Sequence, residues 1–351
     1  MTTASNPPPK SLDLEAAKPP PPPPKHPLVP GFNDPPPFLV FLRRNWYDIA
    51  TQLLCVLIAF LLYTFCPPLM PRYFPVFPGV YTTTWGMKHS QPYLSEYVST
   101  LVSAVTSFAV PAAVMGAIAL WGTRGFGDAN AAVSLDRLLF WDSQTDGCVQ
   151  LIGLGYALST ATLFQALIKI FVGGLRPHFL TICAPNMPPS SPGLGPARHF
   201  YTADQVCTGK SSHLKEAQMS FPSGHACAAF AGFGFLALYL NAKFKVLSNG
   251  GHFRDHYGQA VPTSTRDTER VHHWKLVLFM TPWCIASLFA LSKIRDGWHH
   301  PVDVVFGALV GMLFAHMAYR MCYRSVYDWR DNHIPLEGDG GEKHVETQKD
   351  E

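Results

Sequence analysis

The sequence predicts an all-helical membrane protein, a polytopic bundle of six transmembrane helices with disordered cytosolic tails. Three observations support this fold class. Of the 351 residues, 48% are hydrophobic and only 15% are charged, although both ends of the chain are polar. Several long apolar segments in the middle have the length of about twenty residues that a membrane crossing requires. The Lys and Arg residues that flank these segments cluster at alternate ends.

The polar ends are predicted to be disordered tails. Residues 1–44 contain the proline runs Pro7–Pro9 and Pro19–Pro24, which cannot form helix or sheet and are typical of polyproline II. This first tail is either simply disordered or a ligand for a protein that recognises proline motifs. Residues 323–351, which become acidic and glycine-containing after Leu336, are predicted to form the second tail.

Residues 45–322 are predicted to form the membrane domain. Trp and Tyr residues stand at several ends of its apolar segments, as is usual at a membrane interface. The six predicted spans are approximately Trp46–Phe65, Tyr97–Trp121, Cys148–Val172, Phe221–Leu240, Trp274–Leu291 and Val302–Tyr319.

The distribution of positive charge predicts the orientation of the bundle. Lys and Arg residues precede the first span, follow the sixth, and lie in the loops after the second and fourth spans. All of these positions fall on one side, which the positive-inside rule makes cytosolic. Both termini and the loop 242–273 are therefore predicted to be cytosolic. The loop 177–220 then faces the lumen or the exterior, where Cys183 and Cys207 form either a disulfide or two free thiols.

Composition also limits the partners and cofactors. The net charge is +3, and the basic residues form no stripe, so nucleic acid is not an expected partner. The eight cysteines include no Cys-x-x-Cys pair and no zinc-ligand spacing. We therefore expect no metal site. A homo-oligomer is a candidate assembly.

Three groups of polar residues stand at ends of the predicted spans that all lie on the non-cytosolic side. Ionisable groups at membrane depth are costly, so they are candidates for function. The first group has Lys169 seven residues before Arg176-Pro177. If the third helix continues to Arg176, the two cations lie two turns apart on one face and can hold one anion. The alternative is a snorkelling lysine and a boundary arginine.

The second group, Pro222-Ser223-Gly224-His225, opens the fourth span. Proline suits the first turn of a helix, and Ser223 with Gly224 would leave backbone N–H groups and a hydroxyl exposed at the positive end of the helix dipole. Such a terminus can cradle a phosphate, and His225 supplies a proton donor beside it. A plain helix start is the alternative.

The third group lies between the fifth and sixth spans and contains Lys293, Arg295, His299, His300 and Asp303. Asp303 follows His299 by four residues and can accept a hydrogen bond from one of its ring nitrogens. The other nitrogen is then an unprotonated nucleophile. Alternatively, His299 or His300 is an ordinary interfacial histidine.

Together these motifs resemble the three signature motifs of the type-2 phosphatidic acid phosphatase superfamily, which are Lys-x6-Arg-Pro, Pro-Ser-Gly-His and Ser-Arg-x5-His-x3-Asp. The order and spacing match, and residues 46–319 resemble the six-helix lipid phosphate phosphatase branch. The sequence of the third motif is similar to that of fungal and plant diacylglycerol diphosphate and phosphatidate phosphatases.

The resemblance implies a role for each matching residue. Lys169 and Arg176, with Ser223 and the amide of Gly224, would hold the phosphoryl oxygens. His299 would attack phosphorus to form a phosphohistidine, and His225 would protonate the leaving alkoxide. Asp303 would orient His299. This chemistry requires no metal, Mg²⁺ included, because positive side chains supply the charge.

One position departs from the family pattern, because Lys293 stands where the third motif has arginine. Lysine keeps the charge but lacks the planar, two-pronged grip on phosphate. We expect activity to survive with altered substrate preference, either through Lys293 itself or through Arg295 reaching into the pocket.

The resemblance implies a lipid phosphatase that acts on phosphatidate, diacylglycerol diphosphate, lysophosphatidate or related lipids in the bilayer. A phosphatase for sphingosine phosphate or a polyprenyl diphosphate is the alternative within the family. From another class, the chain could be a non-catalytic membrane protein that binds lipid phosphates.

Overall fold

The computed structural model describes residues 42–43, 45–123, 146–186, 192–247, 272–328 and 331–336. These residues all belong to one compact unit, Pro37–Glu351. The proline runs of the first predicted tail, most of the predicted cytosolic loop 242–273, and residues 337–351 of the second tail lie outside the described residues.

Helices dominate the described part of the chain, and the only strands in it are two short ones. The helices are α1 (Trp46–Phe65), α2 (Thr84–His89), α3 (Thr100–Thr123), α4 (Asp146–Phe171), α5 (Phe179–Cys183), α6 (Ala203–Val206), α7 (Ser211–Ala217), α8 (Gly224–Phe244), α9 (His273–Arg295) and α10 (Pro301–Cys322). A 3-10 turn covers Val80–Thr82, and the strands are β1 (Phe74–Pro75) and β2 (Phe200–Tyr201).

Six of these helices are long and apolar enough to cross a membrane, namely α1, α3, α4, α8, α9 and α10. They occur where the apolar segments predicted spans, so the predicted six-helix membrane bundle is confirmed, and the chain is a multi-pass membrane protein. Their apolar side chains are widely exposed on the outside of the bundle, as expected where lipid replaces water.

Helix α8 lies at the centre of the bundle. Within its apolar window 78% of the residues are buried, and it packs against α3, α4, α9 and α10. Two glycines of α10 permit one of these contacts, because a side chain at Gly307 would collide with the carbonyl of Ser223 and one at Gly311 with that of Cys227. These close approaches bring the start of α10 against the start of α8.

The described segments between the spans on one side of the bundle, residues 66–99, 172–186 and 192–223, form a folded cap. Strands β1 and β2 pair antiparallel, with Phe74 opposite Tyr201. A buried apolar cluster that includes Phe74, Phe179 and Leu180 lies beneath them. Cys183 and Cys207 are joined by a disulfide, so the structure favours the bridged alternative. The region predicted only as polar loops thus has a core of its own.

The second predicted tail begins too early at residue 323. Tyr323 is fully buried and stacks on Tyr319, with ring centroids 4.4 Å apart. The Tyr319 hydroxyl donates to the carbonyl of Asn332 at 2.8 Å, and the amide of Leu336 donates to the carbonyl of Cys322 at 2.8 Å. Individual aromatic and hydrogen-bond contacts fold residues 323–328 and 331–336 back onto α10, and such contacts leave no periodic apolar pattern in the sequence.

The third predicted span also ends differently from the expectation. Helix α4 stops at Phe171 and does not continue to Arg176. Gly173 and Gly174 follow with φ of 50° and 125°, in the left-handed region that glycine adopts without a steric cost. Lys169 and Arg176 therefore do not share one helix face, and another arrangement must bring them together.

Candidate active site

The first and second sequence motifs lie side by side because their backbones pair. After the glycine turn, the amide of Arg176 donates to the carbonyl of Ala217 at 2.8 Å. The amide of Phe221 donates to the carbonyl of Gly173 at 3.1 Å. This pairing directs Arg176 back towards the end of α4, where Lys169 lies.

Hydrogen bonds join the second and third motifs at the starts of α8 and α10. The amide of Ser223 donates to the carbonyl of Asp303 at 3.0 Å, next to the contact at Gly307. The Ser220 hydroxyl donates to Oδ2 of Asp303 at 2.5 Å. The three predicted motifs therefore converge at one end of the bundle, although Ser220 belongs to none of them.

The guanidinium of Arg176 is the site's most distinctive group. Arg176 is 3% exposed. Its Nη2 lies 3.5 Å from Oε1 of Glu216, and its Cζ lies 4.6 Å above the ring of Trp298. Nε and Nη1 are buried and have no partner among the described residues. Buried donors are nearly always hydrogen-bonded in folded proteins, so these two donor nitrogens point to a ligand that accepts hydrogen bonds.

Lys169 places a second buried cation in the same site. Its charge and that of Arg176 both act on His299, and the two cations repel each other. Two buried like charges are costly unless an anion joins them. A bound phosphate would supply that anion and the missing acceptors of Arg176.

His299 is buried in the turn between α9 and α10. Its Nδ1 lies 3.7 Å from Oδ2 of Asp303, beyond hydrogen-bond distance, so the hydrogen bond expected between them is not formed in this structure. Burial lowers the pKa of His299 to about 3, and the charges of Arg176 and Lys169 act in the same direction. The imidazole is therefore neutral at physiological pH. Because Nδ1 faces the carboxylate, Nε2 is the nitrogen left for a reaction.

His300, the neighbouring histidine, starts α10. It forms a reciprocal cap with Asp303: its side chain accepts from the Asp303 amide, and its own amide donates to Oδ2 of Asp303 at 3.0 Å. Its ring is about one third exposed and lies 5.3 Å from that of His89. These contacts give His300 a structural role at the helix start.

At the start of α8, Ser223 is the N-cap and is fully buried. Its hydroxyl oxygen accepts a long hydrogen bond of 3.4 Å from the amide of Ala226, which leaves its proton free to donate. Gly224 is the first helical residue, so its amide is one of those that an α-helix leaves without an internal partner. Both groups are of the kind that binds an anion.

His225 lies one residue further along α8, and a carboxylate that the sequence reasoning overlooked faces it. Its Nε2 is buried without a hydrogen-bond partner among the described residues. Oε1 of Glu96 lies 3.9 Å from this nitrogen. Glu96 lies in the cap just before α3.

Lys293 and Arg295 differ from what was expected of them. The ammonium of Lys293 is fully buried, donates to the carbonyl of Val98 at 2.6 Å, and lies 3.3 Å from Oε1 of Glu96. It is therefore engaged by the cap and is not a free phosphate ligand. Arg295 is exposed and stacks on Tyr97 at 4.8 Å. The suggestion that Arg295 reaches into the pocket is wrong for this structure, because its side chain points away from the buried groups.

A protein-family model described as the PAP2 superfamily matches residues 150–327, just over half of the chain. The chain belongs to the PAP2 superfamily. The match includes all three motifs, so the resemblance inferred from them is confirmed.

Curated relatives match about half of this PAP2 chain. It is 34% identical over 179 residues to lipid phosphate phosphatase 1 of Arabidopsis thaliana, covering 50% of this chain and 46% of that protein. It is 32% identical over 179 residues to diacylglycerol pyrophosphate phosphatase 1 of Saccharomyces cerevisiae, covering 51% and 53%. A PA-phosphatase related-family protein of Dictyostelium discoideum is 30% identical over 191 residues, covering 53% and 50%. The chain spans about half the length of these relatives.

The PAP2 match does not reach Glu96, which precedes residue 150. No motif signals this residue. A signal was nevertheless present, since Glu96 is an ionisable residue at the edge of the second apolar segment, and such a position is a candidate for function. Ser220 and Glu216 lie within the match and gave no signal, because single serine and glutamate residues are common in polar loops.

Proposed function

We propose that this PAP2 protein is an integral membrane phosphatase that hydrolyses lipid phosphates through a phosphohistidine at His299. The observation that carries the proposal is the buried Arg176 guanidinium. Its Nε and Nη1 have no hydrogen-bond partner in the part of the chain that the structure describes, and they lie in the same site as the neutral, buried His299. The names of the plant and yeast relatives supply the class of substrate.

Phosphate binding uses groups from each of the three motifs. Arg176 and Lys169 neutralise the phosphoryl oxygens, while the Ser223 hydroxyl and the Gly224 amide donate further hydrogen bonds. The side chains of Lys169, Arg176 and Ser223 are buried before substrate arrives. Preorganised donors of this kind stabilise charge in the transition state without the cost of reorganising water.

The reaction has two steps. In the first, Nε2 of His299 attacks phosphorus, the bond from phosphorus to the alkoxide oxygen breaks, and His225 donates a proton to that oxygen. In the second, His225 accepts a proton from water as the water oxygen attacks phosphorus, and the nitrogen–phosphorus bond breaks to release phosphate. Asp303 stabilises the positive charge on the His299 ring. All charge compensation comes from side chains and amides, so we propose that no metal is required.

The proposed substrates are phosphatidate, diacylglycerol diphosphate, lysophosphatidate and related lipids. A site at the ends of the spans lies near headgroup depth, so a lipid can present its phosphate while its tails remain in the bilayer. We propose that activity is retained with lysine at position 293, because Lys169 and Arg176 provide the phosphate's charge partners. Comparing the rates of phosphate release from these lipids, from sphingosine phosphate and from polyprenyl diphosphates determines the substrate preference.

The decisive experiment measures phosphate release by the purified full-length chain in detergent with EDTA present. Phosphatidate and diacylglycerol diphosphate are the first substrates, and wild type is compared with His299→Ala and with His199→Ala, an exposed cap histidine as matched control. We expect release by wild type and His199→Ala and none by His299→Ala. With ³²P-labelled substrate, wild type should also carry a protein-bound label that is stable to alkali and labile to acid.

Other results would point elsewhere. Loss of activity in EDTA that Mg²⁺ restores would contradict a metal-independent reaction. No release by folded wild type from these lipids, nor from sphingosine phosphate or a polyprenyl diphosphate, would favour the non-catalytic lipid-phosphate binder.

We also propose that the site and the cap face the lumen or exterior and that both termini are cytosolic. The positive charges of the loops and the Cys183–Cys207 disulfide support this orientation. The chain has no natural N-glycosylation sequon, so an engineered one reports the side directly. Ala197→Asn with His199→Thr creates a sequon in an exposed part of the cap and should be glycosylated. Thr3→Asn creates one in the first tail and should not be, and the reverse pattern would invert the orientation.

A further inference from the structure

Glu96 is a largely buried carboxylate in a site built to hold an anion. Its side chain is 17% exposed. Oε2 accepts a hydrogen bond from the amide of Thr100 at 3.1 Å at the start of α3, which fixes the carboxylate. Oε1 faces inwards, 3.3 Å from Nζ of Lys293 and 3.9 Å from Nε2 of His225. A carboxylate so close to a phosphate site repels the substrate, so its presence there indicates a functional role.

Lys293 explains how the site tolerates this charge. The ammonium lies against Oε1 of Glu96 and donates to the carbonyl of Val98. Oδ2 of Asp296 also lies 3.9 Å from Nζ of Lys293. Carboxylates therefore balance the charge of Lys293, and the net positive charge offered to a phosphate comes from Lys169 and Arg176. Lys293 also ties the segment before α3 to the end of α9, which holds Glu96 beside His225.

His225 and His299 stand in matching environments. Each is a buried histidine with one ring nitrogen directed at a carboxylate oxygen just beyond hydrogen-bond distance: 3.9 Å for His225 and Glu96, and 3.7 Å for His299 and Asp303. Catalytic hydrogen bonds are often long in the absence of substrate and shorten when it binds. A movement of about 1 Å brings either pair into the usual range.

We propose that Glu96 is a positioning residue that accepts a hydrogen bond from Nε2 of His225 and stabilises its protonated form, leaving Nδ1–H to protonate the departing alkoxide. This inference rests on the proposed function and assigns its acid step to a pair of residues. The proton moves from Nδ1 of His225 to the alkoxide oxygen as the phosphorus–oxygen bond breaks, and water later returns it.

The surrounding charges show why His225 needs such a partner. Lys293 from α9, Lys169 from α4, Arg176 from the cap and His299 from the turn before α10 all act on His225 and oppose a further positive charge there. Asp303 of α10 is directed at His299 and His300 instead. Glu96 is the carboxylate in contact with His225, so it is the group placed to favour the imidazolium.

The test separates acid catalysis from other contributions by varying the leaving group. Wild type, Glu96→Gln and His299→Ala are assayed on phosphatidate and on an aryl phosphate whose nitrophenol leaving group carries an alkyl chain. Nitrophenolate leaves without a proton, whereas the alkoxide of phosphatidate needs one. We expect Glu96→Gln to lower kcat/KM at least about tenfold for phosphatidate and by less than about threefold for the aryl ester. Its pH profile for phosphatidate should lose activity at a lower pH on the alkaline side, because a neutral amide stabilises the imidazolium less.

A second variant guards against simple misfolding. Glu96→Gln with Lys293→Met removes both charges of the buried pair. Asp296, the other carboxylate near Lys293 at 3.9 Å, keeps the hydrogen bond of 2.7 Å from the Tyr97 amide. This double variant should show the same discrimination between leaving groups. An equal fall on both substrates in both variants would mean that Glu96 only supports the structure, and no fall on phosphatidate would mean that His225 acts without it. Either result overturns the inference but not the proposed function. Folded wild type that is inactive on both substrates would overturn the proposed function itself.

Discussion

The hydroxyl of Ser220 donates a hydrogen bond of 2.5 Å to Oδ2 of Asp303, the same oxygen that lies 3.7 Å from Nδ1 of His299. Ser220 is buried, and its amide also donates to the carbonyl of Gly174 at 2.9 Å. It therefore connects the glycine turn of the first motif to the carboxylate of the third. The carboxylate is held in place by Ser220 and by the amide of His300 before it engages His299.

Replacing Ser220 with alanine tests this connection. Ser220→Ala removes a charge-assisted hydrogen bond worth about 1.5–3 kcal/mol and leaves Asp303 less well oriented. We expect kcat/KM for phosphatidate to fall about tenfold, because the carboxylate that supports the His299 imidazolium becomes mobile. Ser211→Ala, at an exposed position in the cap, is the control and should retain wild-type activity. Unchanged activity in Ser220→Ala would show that the helix-start cap alone positions Asp303.

The six helices and the three motifs could be predicted from sequence, because both depend on local patterns. A run of apolar residues predicts a span wherever it occurs. The motifs can be recognised from the order and spacing of their residues along the sequence, which are Lys169, Arg176, His225, His299 and Asp303. The pairing that brings Arg176 back to Lys169 could not be predicted this way. It depends on two left-handed glycines and on residues 217–221, which are distant in sequence from the end of α4.

The residues that contact the motif residues could not be predicted from the sequence for a different reason. Glu96 acquires its significance from Lys293 and His225, which lie on other helices. Arg295 shows the opposite error: its position in the third motif suggested the pocket, but it lies at the exposed end of α9 against Tyr97. In each case the deciding factor is which face of a helix meets the cap, and single-sequence patterns carry no information about that contact.

A matched pair of arginine substitutions tests the phosphate site. Arg176→Lys keeps the charge but loses the planar fork, whose Nε and Nη1 lack partners among the described residues. We expect kcat/KM for phosphatidate to fall about 100-fold, equivalent to about 3 kcal/mol of transition-state stabilisation. Arg295→Lys, at the exposed position, should change it by less than about twofold. Equal effects of the two substitutions would show that Arg176 does not bind the phosphate.

The disulfide predicts the local stability of the cap. It links Cys183 to Cys207, a separation of 24 residues, and closing a loop of that length stabilises a fold by about 3 kcal/mol in the chain-entropy model. In Cys183→Ala with Cys207→Ala, amides that hold the cap together, such as that of Thr208 bonded to the carbonyl of Cys183, should exchange hydrogen about 100-fold faster. Cys55→Ala with Cys284→Ala removes two free thiols as the control. Unaltered exchange in the cap variant would show that the apolar cluster alone stabilises this region.

His178 predicts how stability depends on pH. It is 1% exposed, its Nδ1–H donates to the carbonyl of Gly297 at 2.9 Å, and its ring lies edge-on to Trp298. Burial lowers the pKa of His178 to about 4, and the nearby charge of Arg176 adds to the effect. The unfolded chain, with a histidine pKa of about 6.5, therefore binds more protons than the folded chain between these values, and stability falls as the pH is lowered through 6.5.

The size of this effect can be measured with His178→Asn, which keeps an N–H near the position of Nδ1. At pH 5 the neutral buried His178 costs about 2 kcal/mol relative to pH 7, so the variant should lose about that much less stability than wild type between pH 7 and 5. Thermal and denaturant unfolding in detergent measure the difference. His213→Asn is the control, because this imidazole is exposed on Tyr93 and should leave the pH dependence unchanged. Parallel curves for wild type and His178→Asn would mean that His178 accepts its proton inside the folded cap, and the neutral hydrogen bond to Gly297 would then be wrong.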